Sequence, residues 1–102
     1  MKSTAQDTNI NPSKYHFVYI LQCRDGSFYT GYAVNIEHRL REHQRGRGSK
    51  YVRSRLPVKL VYYEVYTSKE SAMSREAEIK KMPRKKKEEL IKNSGVRSQN
   101  SE

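Results

Sequence analysis

The longest β-branched and aromatic stretch of the chain covers residues 17–32 and predicts a β-hairpin. Arg24-Asp25-Gly26 interrupts this stretch, which is typical of a tight turn between two strands. A second stretch, residues 60–66, follows Pro57 and predicts a third strand. The hydrophobic pattern therefore predicts a small sheet of three strands.

Helix signals follow the hairpin and the third strand. Asn35 is a good N-cap for a helix that runs to about Gln44. Thr67 and Glu70, three residues apart, form a capping box for a second helix that runs to about Met82. Each strand unit is therefore followed by a helix.

A third helix completes the predicted domain. Pro83 ends the second helix and can begin a third, which carries Lys85 to Lys92. The order β-β-α-loop-β-α-α predicts an α+β fold over residues 15–92, a three-stranded antiparallel sheet flanked by helices. The polar segments 1–14 and 93–102 have no periodicity and are predicted to be disordered tails.

The composition limits the class of protein. The 102 residues, 34% of them hydrophobic, have room for one domain with a small core. Cys23 is the single cysteine, which excludes an intrachain disulfide, and with three irregularly spaced histidines it does not form a structural zinc site. The longest apolar run, residues 17–21, is far shorter than a membrane span, and the N-terminus lacks a signal peptide's apolar stretch. We therefore expect a soluble, cytoplasmic protein with no membrane partner.

The positive charge is large and localised. Lys and Arg number 21, Asp and Glu number 11, and the formal net charge is +10. Residues 34–59 hold eight basic and two acidic side chains, and residues 80–92 hold seven and two, so these segments account for the whole excess. A polyanion is therefore the expected partner. A solvated basic surface and an anionic membrane surface are the alternatives.

The register of the hairpin decides where two of its tyrosines lie. With a three-residue loop closed by a left-handed glycine, Tyr19 faces Gly31 and Leu21 faces Tyr29. Tyr19 and Tyr29 then lie on one face of the sheet, whereas a two-residue Asp25-Gly26 loop would put them on opposite faces. In the first register Gly31 leaves space beside Tyr19, as where a ligand or another backbone comes close. Ordinary packing is the alternative role for the tyrosines.

Two predicted helices carry polar groups where a core-facing stripe is expected. One stripe of the first helix combines apolar, basic and titratable side chains, namely Ile36, Arg39, Leu40 and His43. The apolar face of the second helix consists of Ala72, Met73, Ala77 and Ile79. Glu76 lies near the middle of that face, where a carboxylate needs a partner or a cation. A structural Arg39–Glu76 ion pair, with His43 as a satisfied histidine, is the alternative to a functional site.

These features together resemble the GIY-YIG nuclease domain. The resemblance rests on four short motifs: Phe17-Val18-Tyr19, Tyr29-Thr30-Gly31, Arg39-Leu40-Arg41-Glu42-His43 and Arg75-Glu76. It covers about residues 15–92 and is greatest to the small stand-alone members of the superfamily. Two tyrosines ten residues apart, an arginine ten further on, a histidine four after it and a glutamate on a later helix form a specific combination.

The resemblance implies metal-dependent hydrolysis of phosphodiester bonds in DNA, with a role in DNA repair or recombination. Glu76 occupies the carboxylate position and would hold Mg²⁺ or Mn²⁺, while water and phosphate oxygens complete the shell. Arg39 would clamp the phosphate. Tyr29 would deprotonate or orient the attacking water, which requires nearby cations to lower its pKa from about 10. Tyr19 would position the water, and His43 would assist proton transfer.

Two positions depart from the family pattern. The first motif contains Phe17-Val18-Tyr19 in place of Gly-Ile-Tyr, although the tyrosine is kept. Many family nucleases also carry an asparagine about a dozen residues after the glutamate, whereas this chain has none between Glu76 and Asn93. A lysine of that region can take over the phosphate contact.

The basic segment 45–55 is predicted to hold the nucleic acid. Its two glycines allow the backbone to approach phosphates, and Tyr51 is available to stack on an unpaired base. The predicted contacts in this segment are Arg45, Arg47, Lys50, Tyr51, Arg53 and Arg55. Lys85 and Lys86 would add backbone contacts, and a solvated cationic helix is the alternative for them. The chain has no base-reading motif, so structure- or backbone-directed binding is expected, with single-stranded or branched DNA as candidates and RNA as a further one.

Two functions of different class are consistent with these residues. The first is a nuclease, and the second is a non-catalytic DNA- or RNA-binding module in which Arg39 and Glu76 form a structural pair. The nuclease is favoured because ordinary binding does not need tyrosines, an arginine and a carboxylate on one face. The sequence leaves the oligomeric state open.

Overall fold

A three-stranded antiparallel sheet forms the centre of the protein in a computed structural model, which describes residues 14–100 and the side chains as far as residue 94. The strands are β1 (His16–Cys23), β2 (Phe28–Ala33) and β3 (Val58–Tyr66), and β1 lies between the other two. β3 begins two residues before the predicted third strand, directly after Pro57. The predicted fold class is therefore confirmed.

In the described part of the chain, four helices connect and follow the strands. Helices α1 (Ile36–Gln44) and α2 (Lys50–Arg53) lie between β2 and β3 in the chain, and α3 (Lys69–Lys80) and α4 (Arg84–Asn100) follow β3. Helix α1 begins as predicted, because the side chain of its N-cap Asn35 accepts a backbone N–H at 2.9 Å. The single turn of α2 lies in the segment that the sequence predicted as a loop.

The hairpin between β1 and β2 has the three-residue loop. The Cys23 N–H donates to the Ser27 carbonyl at 2.8 Å, and Gly26 closes the loop with a φ of 87°, in the left-handed region that favours glycine. Tyr19 therefore pairs with Gly31, as predicted for this register, and the two-residue loop is excluded. The register places Tyr19 and Tyr29 on one face.

The two faces of the sheet carry separate cores because β1 is buried on both sides. Tyr19, Leu21 and Cys23 point to the face on which α1 and α2 pack, here called the α1 face. Val18 and Ile20 point to the opposite face, the α3 face, on which α3 and α4 pack. Fully buried Val52 anchors the short α2 to the core of the α1 face.

Helix α3 begins one residue later than predicted. Its N-cap is Ser68, whose hydroxyl accepts the backbone N–H of Ser71 at 3.0 Å. The predicted capping box of Thr67 and Glu70 is therefore wrong, since Ser68 has the extended backbone of an N-cap, with φ −128° and ψ 138°. The helix ends at Lys80, two residues before the predicted end.

The buried stripe of α3 differs from the predicted apolar face. Ala72 and Ile79 are completely buried, but Met73 is 41% exposed and Ala77 is also exposed. Between the two buried residues, on the same side of the helix, lies half-buried Arg75-Glu76. The helix therefore presents two charged side chains toward the sheet along with its two apolar anchors.

Helix α4 and the chain ends complete the description. Helix α4 begins directly after Pro83, close to the predicted start of the third helix, and runs past its predicted end at residue 92. The predicted N-terminal tail lies outside the described residues except for Lys14, as do residues 101 and 102 of the predicted C-terminal tail. Within residues 14–100, the helices are too short or too polar to cross a bilayer.

Candidate active site

Tyr19 reaches over the edge strand β2 because Gly31 has no side chain. A Cβ built on Gly31 would stand 2.5 Å from the Tyr19 hydroxyl oxygen, closer than real Cβ atoms come. The ring of Tyr19 therefore lies across Gly31 and carries its hydroxyl toward the edge of the sheet. The space predicted beside Tyr19 is filled by the ring of Tyr19 itself, so Gly31 serves a close packing contact.

Tyr19, Tyr29 and His43 form one aromatic cluster on the α1 face. The His43 ring centroid lies 6.0 Å from that of Tyr19 and 5.4 Å from that of Tyr29, both in edge-to-face arrangements. The two tyrosine rings are 6.5 Å apart. His43 is 1% exposed and lies within 2.9 Å of the Tyr19 hydroxyl through Nε2. The structure thus brings together three of the predicted catalytic side chains.

His43 is held in its neutral form by its surroundings. Burial lowers its pKa, and the nearby charge of Arg39 lowers it further. Its Nδ1 is buried without a partner among the described residues, and a Cβ built on Gly48 would stand 2.1 Å from this atom. A buried N–H without a partner is costlier than a lone pair without one, so we assign the proton to Nε2, which donates to Tyr19.

The Tyr19 hydroxyl is the point toward which the charged site residues converge. Burial raises its pKa above the ordinary range, neighbouring Tyr29 and Glu76 raise it further, and the charge of Arg39 lowers it. Burial dominates, so Tyr19 stays protonated at neutral pH. Arg39 and Glu76 therefore lie close enough to Tyr19 to influence its ionisation, and Arg39 also lines the cleft beside Tyr29.

Glu76 is paired with a lysine of its own helix. Its side chain is 14% exposed, and Lys80 Nζ lies 3.2 Å from its Oε2, four residues further along α3. Among the ion pairs of the described residues, Arg39 does not pair with Glu76, which removes the structural pair considered from the sequence. The Glu76 carboxylate is instead paired with Lys80, whose side chain is exposed to solvent and is therefore free to move away.

The donor set fits a Mg²⁺ or Mn²⁺ ion that is completed by its substrate. Within residues 14–94, His, Cys, Asp and Glu side chains do not cluster in threes as they would around a fully protein-bound ion. Mg²⁺ commonly keeps several waters and binds through one or two carboxylates together with substrate phosphates. The carboxylate of Glu76, whose side chain is 14% exposed, meets that requirement.

A cleft of about 470 Å³ opens beside this cluster, between α1, β2 and the segment before α2. It is lined by Tyr29, His38, Arg39, Glu42, Arg47, Gly48 and Ser49. Arg47 lies 3.5 Å from the Glu42 carboxylate, which also lies 3.7 Å from Arg45. The cleft therefore offers the guanidinium groups of Arg39 and Arg47 next to the Tyr29 ring.

The predicted nucleic-acid contacts divide between the two faces of the sheet. Four basic side chains of segment 45–55 are exposed, and Arg47 among them lines the cleft; the four are Arg45, Arg47, Lys50 and Arg53. Lys85 and Lys86 are also exposed, but they belong to α4, which packs on the opposite face. The fold thus separates the two basic segments.

Tyr51 and Arg55 have partners within the protein. The Arg55 guanidinium lies 3.8 Å above the Tyr51 ring and donates to Asp25 at 3.2 Å. The Tyr51 ring, 38% exposed, stacks on Tyr29 with centroids 6.2 Å apart and planes 22° apart. Both residues were predicted to contact nucleic acid, and the structure places them against the hairpin and the site tyrosine.

Two site residues were not found from the sequence. Gly48 was treated only as a flexible position of the basic segment, although its missing side chain makes room for His43. Lys80 was counted only as charge, although its spacing of four residues from Glu76 on a predicted helix was a sufficient signal. The contact of Gly48 depends on a loop path that no local pattern reveals.

Relatives of this chain were found by comparison of its sequence with known proteins. The model of the GIY-YIG catalytic domain matches residues 15–89. A UPF0213 protein of Haloquadratum walsbyi is 51% identical over 76 residues, which cover 74% of this chain and 85% of that protein. A UPF0213 protein of Staphylococcus aureus strain N315 is 54% identical over 77 residues, covering 76% and 94%.

Two solved structures share the fold. The solution NMR structure of the UPF0213 protein BH0048 from Bacillus halodurans matches with a TM-score of 0.54 and 47% identity, over 79% of this chain and 86% of that chain. The solution NMR structure of EF2693 from E. faecalis matches with a TM-score of 0.57 and 41% identity, over 81% and 88%. Sequence and structure therefore lead to the same group of small proteins.

Proposed function

Since this chain belongs to the GIY-YIG family, a nuclease superfamily, we propose that it is a divalent-metal-dependent endonuclease that hydrolyses phosphodiester bonds in DNA. The observation that supports this most is the Tyr19–Tyr29–His43 cluster, in which His43 Nε2 lies 2.9 Å from the Tyr19 hydroxyl, next to a cleft lined by Arg39 and Arg47. The residues proposed as catalytic are Tyr19, Tyr29, Arg39, His43 and Glu76. A simple binding surface does not need a buried tyrosine–histidine pair at its centre.

The charged residues bind the phosphate and hold the cation. Arg39 and Arg47 line the cleft and would contact phosphate oxygens through charge-assisted hydrogen bonds. Glu76 would hold Mg²⁺ or Mn²⁺, with Lys80 displaced from the carboxylate. When bound, the cation would offset negative charge on the scissile phosphate and the leaving oxygen.

Tyr19 and Tyr29 orient the attacking water and take part in the transfer of its proton. The water oxygen attacks phosphorus and the phosphorus–oxygen ester bond breaks. The proton that the water loses passes to Tyr29 or to solvent, and the leaving oxygen takes up a proton from solvent. Tyr29 either accepts the proton that the water loses or orients the water for attack. Protonated Tyr19 donates a hydrogen bond that orients the same water. His43 donates to Tyr19 from Nε2 and thereby directs the tyrosine proton into the site.

Substrate choice is proposed to follow the shape and backbone of the nucleic acid. The basic side chains around the cleft suit phosphates, and the segment offers no base-reading motif. Nicked, flapped, branched or single-stranded DNA are the candidate substrates, and a role in DNA repair or recombination follows at family level.

A cleavage panel tests the proposal. Labelled single-stranded, duplex, nicked, flapped and branched DNA, and RNA, are incubated with Mg²⁺, Mn²⁺ or EDTA. Glu76→Ala and Tyr29→Phe should abolish cleavage and leave binding largely intact, and Glu70→Ala, an exposed glutamate of the same helix, should cleave like the wild type. Equal activity of Glu76→Ala would reject the proposed nuclease site, and binding of every substrate without cleavage would favour the non-catalytic module.

A further inference from the structure

We propose that Tyr51 is a positioning residue, which holds the ring of Tyr29 and is itself held by Arg55 and Asp25. The proposal rests on the nuclease function above, in which Tyr29 handles the proton of the attacking water. It gives part of the basic segment 45–55 a second task besides binding phosphate. The path of contacts leads from the hairpin turn, through α2, to the site tyrosine.

Three rings surround Tyr29. His43 and Tyr19 contact it from α1 and β1, with centroids 5.4 and 6.5 Å away. Tyr51 stacks on it from α2, with centroids 6.2 Å apart and planes 22° apart, and it is the contact most exposed to solvent. The direction of the Tyr29 hydroxyl therefore depends on how its ring is packed, and Tyr51 packs against a face of that ring.

Tyr51 is fixed by Arg55 of the same segment. The guanidinium lies 3.8 Å above its ring, a cation–π distance, and donates to the Tyr51 carbonyl at 2.9 Å. Arg55 also donates to the Asp25 carboxylate at 3.2 Å, and its own carbonyl accepts the Arg24 N–H at 3.0 Å. The hairpin turn thus holds Arg55, and Arg55 in turn holds the Tyr51 ring that stacks on Tyr29.

These contacts argue against a primary role for Tyr51 as a platform for an unpaired base. Tyr29 and Arg55 both approach Tyr51 through its π faces, so a stacking base would have to compete with them. The Tyr51 hydroxyl is not part of either contact. Stacking on Tyr29 therefore requires the aromatic ring of Tyr51 but not its hydroxyl. A phenylalanine at this position should stack on Tyr29 equally well.

The experiment separates reaction rate from binding. We expect Tyr51→Ala to lower the single-turnover rate at saturating DNA on the order of 10²-fold, because a displacement of about 1 Å in a catalytic group costs this much. The Kd for DNA should stay unchanged, and Tyr51→Phe should retain the wild-type rate. Asp25→Asn keeps an acceptor for the turn but weakens the Arg55 pair, so it should lower the rate by a smaller factor.

Controls decide between positioning and other roles. Tyr15→Ala removes an exposed tyrosine that lies just before β1 and should match the wild type. A raised Kd with an unchanged saturating rate in Tyr51→Ala would overturn positioning in favour of base stacking. A wild-type rate and Kd in this variant would also overturn it.

A second measurement keeps the proposal falsifiable if the wild type cleaves nothing, an outcome that would reject the nuclease function itself. NMR of the protein with isotope-labelled tyrosine rings measures the rate at which the Tyr29 ring flips. In Tyr51→Ala this motion should become faster, whereas in Tyr51→Phe it should match the wild type. Unchanged Tyr29 ring motion in Tyr51→Ala would overturn the positioning role.

Discussion

At the scale of single residues, two glycines make room for the tyrosine–histidine pair of the site. Gly31 lets the Tyr19 ring lie across β2, and Gly48 lets the segment before α2 close over His43. Each position would otherwise bring a Cβ within 2.5 Å or less of a site atom. The geometry of the pair therefore depends on absent side chains as well as on those present.

Replacement of Gly31 tests this dependence. Gly31→Ala should displace the Tyr19 hydroxyl and lower the cleavage rate on the order of 10²-fold, while DNA affinity stays the same, since the basic residues are untouched. Single-turnover kinetics and fluorescence anisotropy measure the two quantities. A wild-type rate in a variant that folds normally by circular dichroism would contradict the close packing of Tyr19.

His43 predicts a pH dependence of stability. Its pKa is lowered in the folded state by burial and by Arg39, so below its ordinary value of 6.5 the unfolded state binds more protons. Stability should therefore be constant above about pH 6.5 and fall as the pH drops below it. Thermal melting between pH 8 and 5 should show this loss, and His43→Gln should flatten the curve. If the melting temperature of His43→Gln falls with pH as steeply as that of the wild type, the loss of stability comes from other titratable groups.

At the scale of elements, helix α3 joins the core to the site. Ala72 and Ile79 anchor it to the α3 face, and Arg75-Glu76 lies between them. Arg75 donates to both carboxylate oxygens of Glu64 on β3, which fixes the helix beside Glu76. The Glu76 carboxylate therefore lies next to an ion pair that joins α3 to β3.

The Glu64 pair should support stability more than activity. Burial alone would raise the Glu64 pKa, but hydrogen bonds from Arg75, Tyr62 and Tyr66 outweigh it and hold the pKa below its usual range. Glu64→Gln should cost about 1–3 kcal/mol, less than the ~3–5 of a fully buried pair because both side chains keep some solvent exposure. Urea denaturation measures the cost.

Activity of the Glu64→Gln variant provides the control for that prediction. Well below its midpoint of thermal unfolding, the variant should cleave DNA within a few-fold of the wild type, because buried Ala72 and Ile79 still anchor α3 to the sheet. Unchanged stability would show that water replaces the pair at no cost.

At the scale of the whole molecule, the hairpin turn links two basic surfaces. Arg55 from the α1 face contacts Asp25 of the turn, and Arg84 at the start of α4 donates to the Gly26 carbonyl at 2.9 Å. Arg84 also lies 4.3 Å above the ring of Phe28. Segment 45–55 and α4 are thus attached to opposite sides of one turn, although only the first borders the cleft.

The two surfaces should differ in their effect on cleavage. The double variants Arg47→Ala/Lys50→Ala and Lys85→Ala/Lys86→Ala should each weaken DNA binding and reduce the slope of log K against log salt by up to about 0.9 per lost contact. Only the first should also lower the saturating rate, because Arg47 lines the cleft. Anisotropy titrations between 50 and 200 mM salt, about the range where such slopes are measured, check this. An unchanged Kd in the second variant would identify α4 as a solvated cationic helix.

Much of the fold could be predicted from the sequence because its signals are local. The Asp25-Gly26 turn, the Asn35 cap and the runs of β-branched and aromatic residues act within a few positions, and the structure confirms each. The hairpin loop length also determines which side chains share a face, which placed Tyr19 beside Tyr29. Where two neighbouring residues could serve equally, as Thr67 and Ser68 could, the local signal was insufficient.

The sequence by itself determined the three strands, the main helices, the localised charge and the chemical types that the site would contain. Only the tertiary structure decided which of these groups meet, because contacts such as Tyr51 on Tyr29 and Arg55 on Asp25 join segments more than 20 residues apart. It also replaced the possible Arg39–Glu76 pair by Lys80–Glu76 and put the two basic segments on opposite faces. Such contacts depend on the packing of whole elements, which no local pattern of residues encodes.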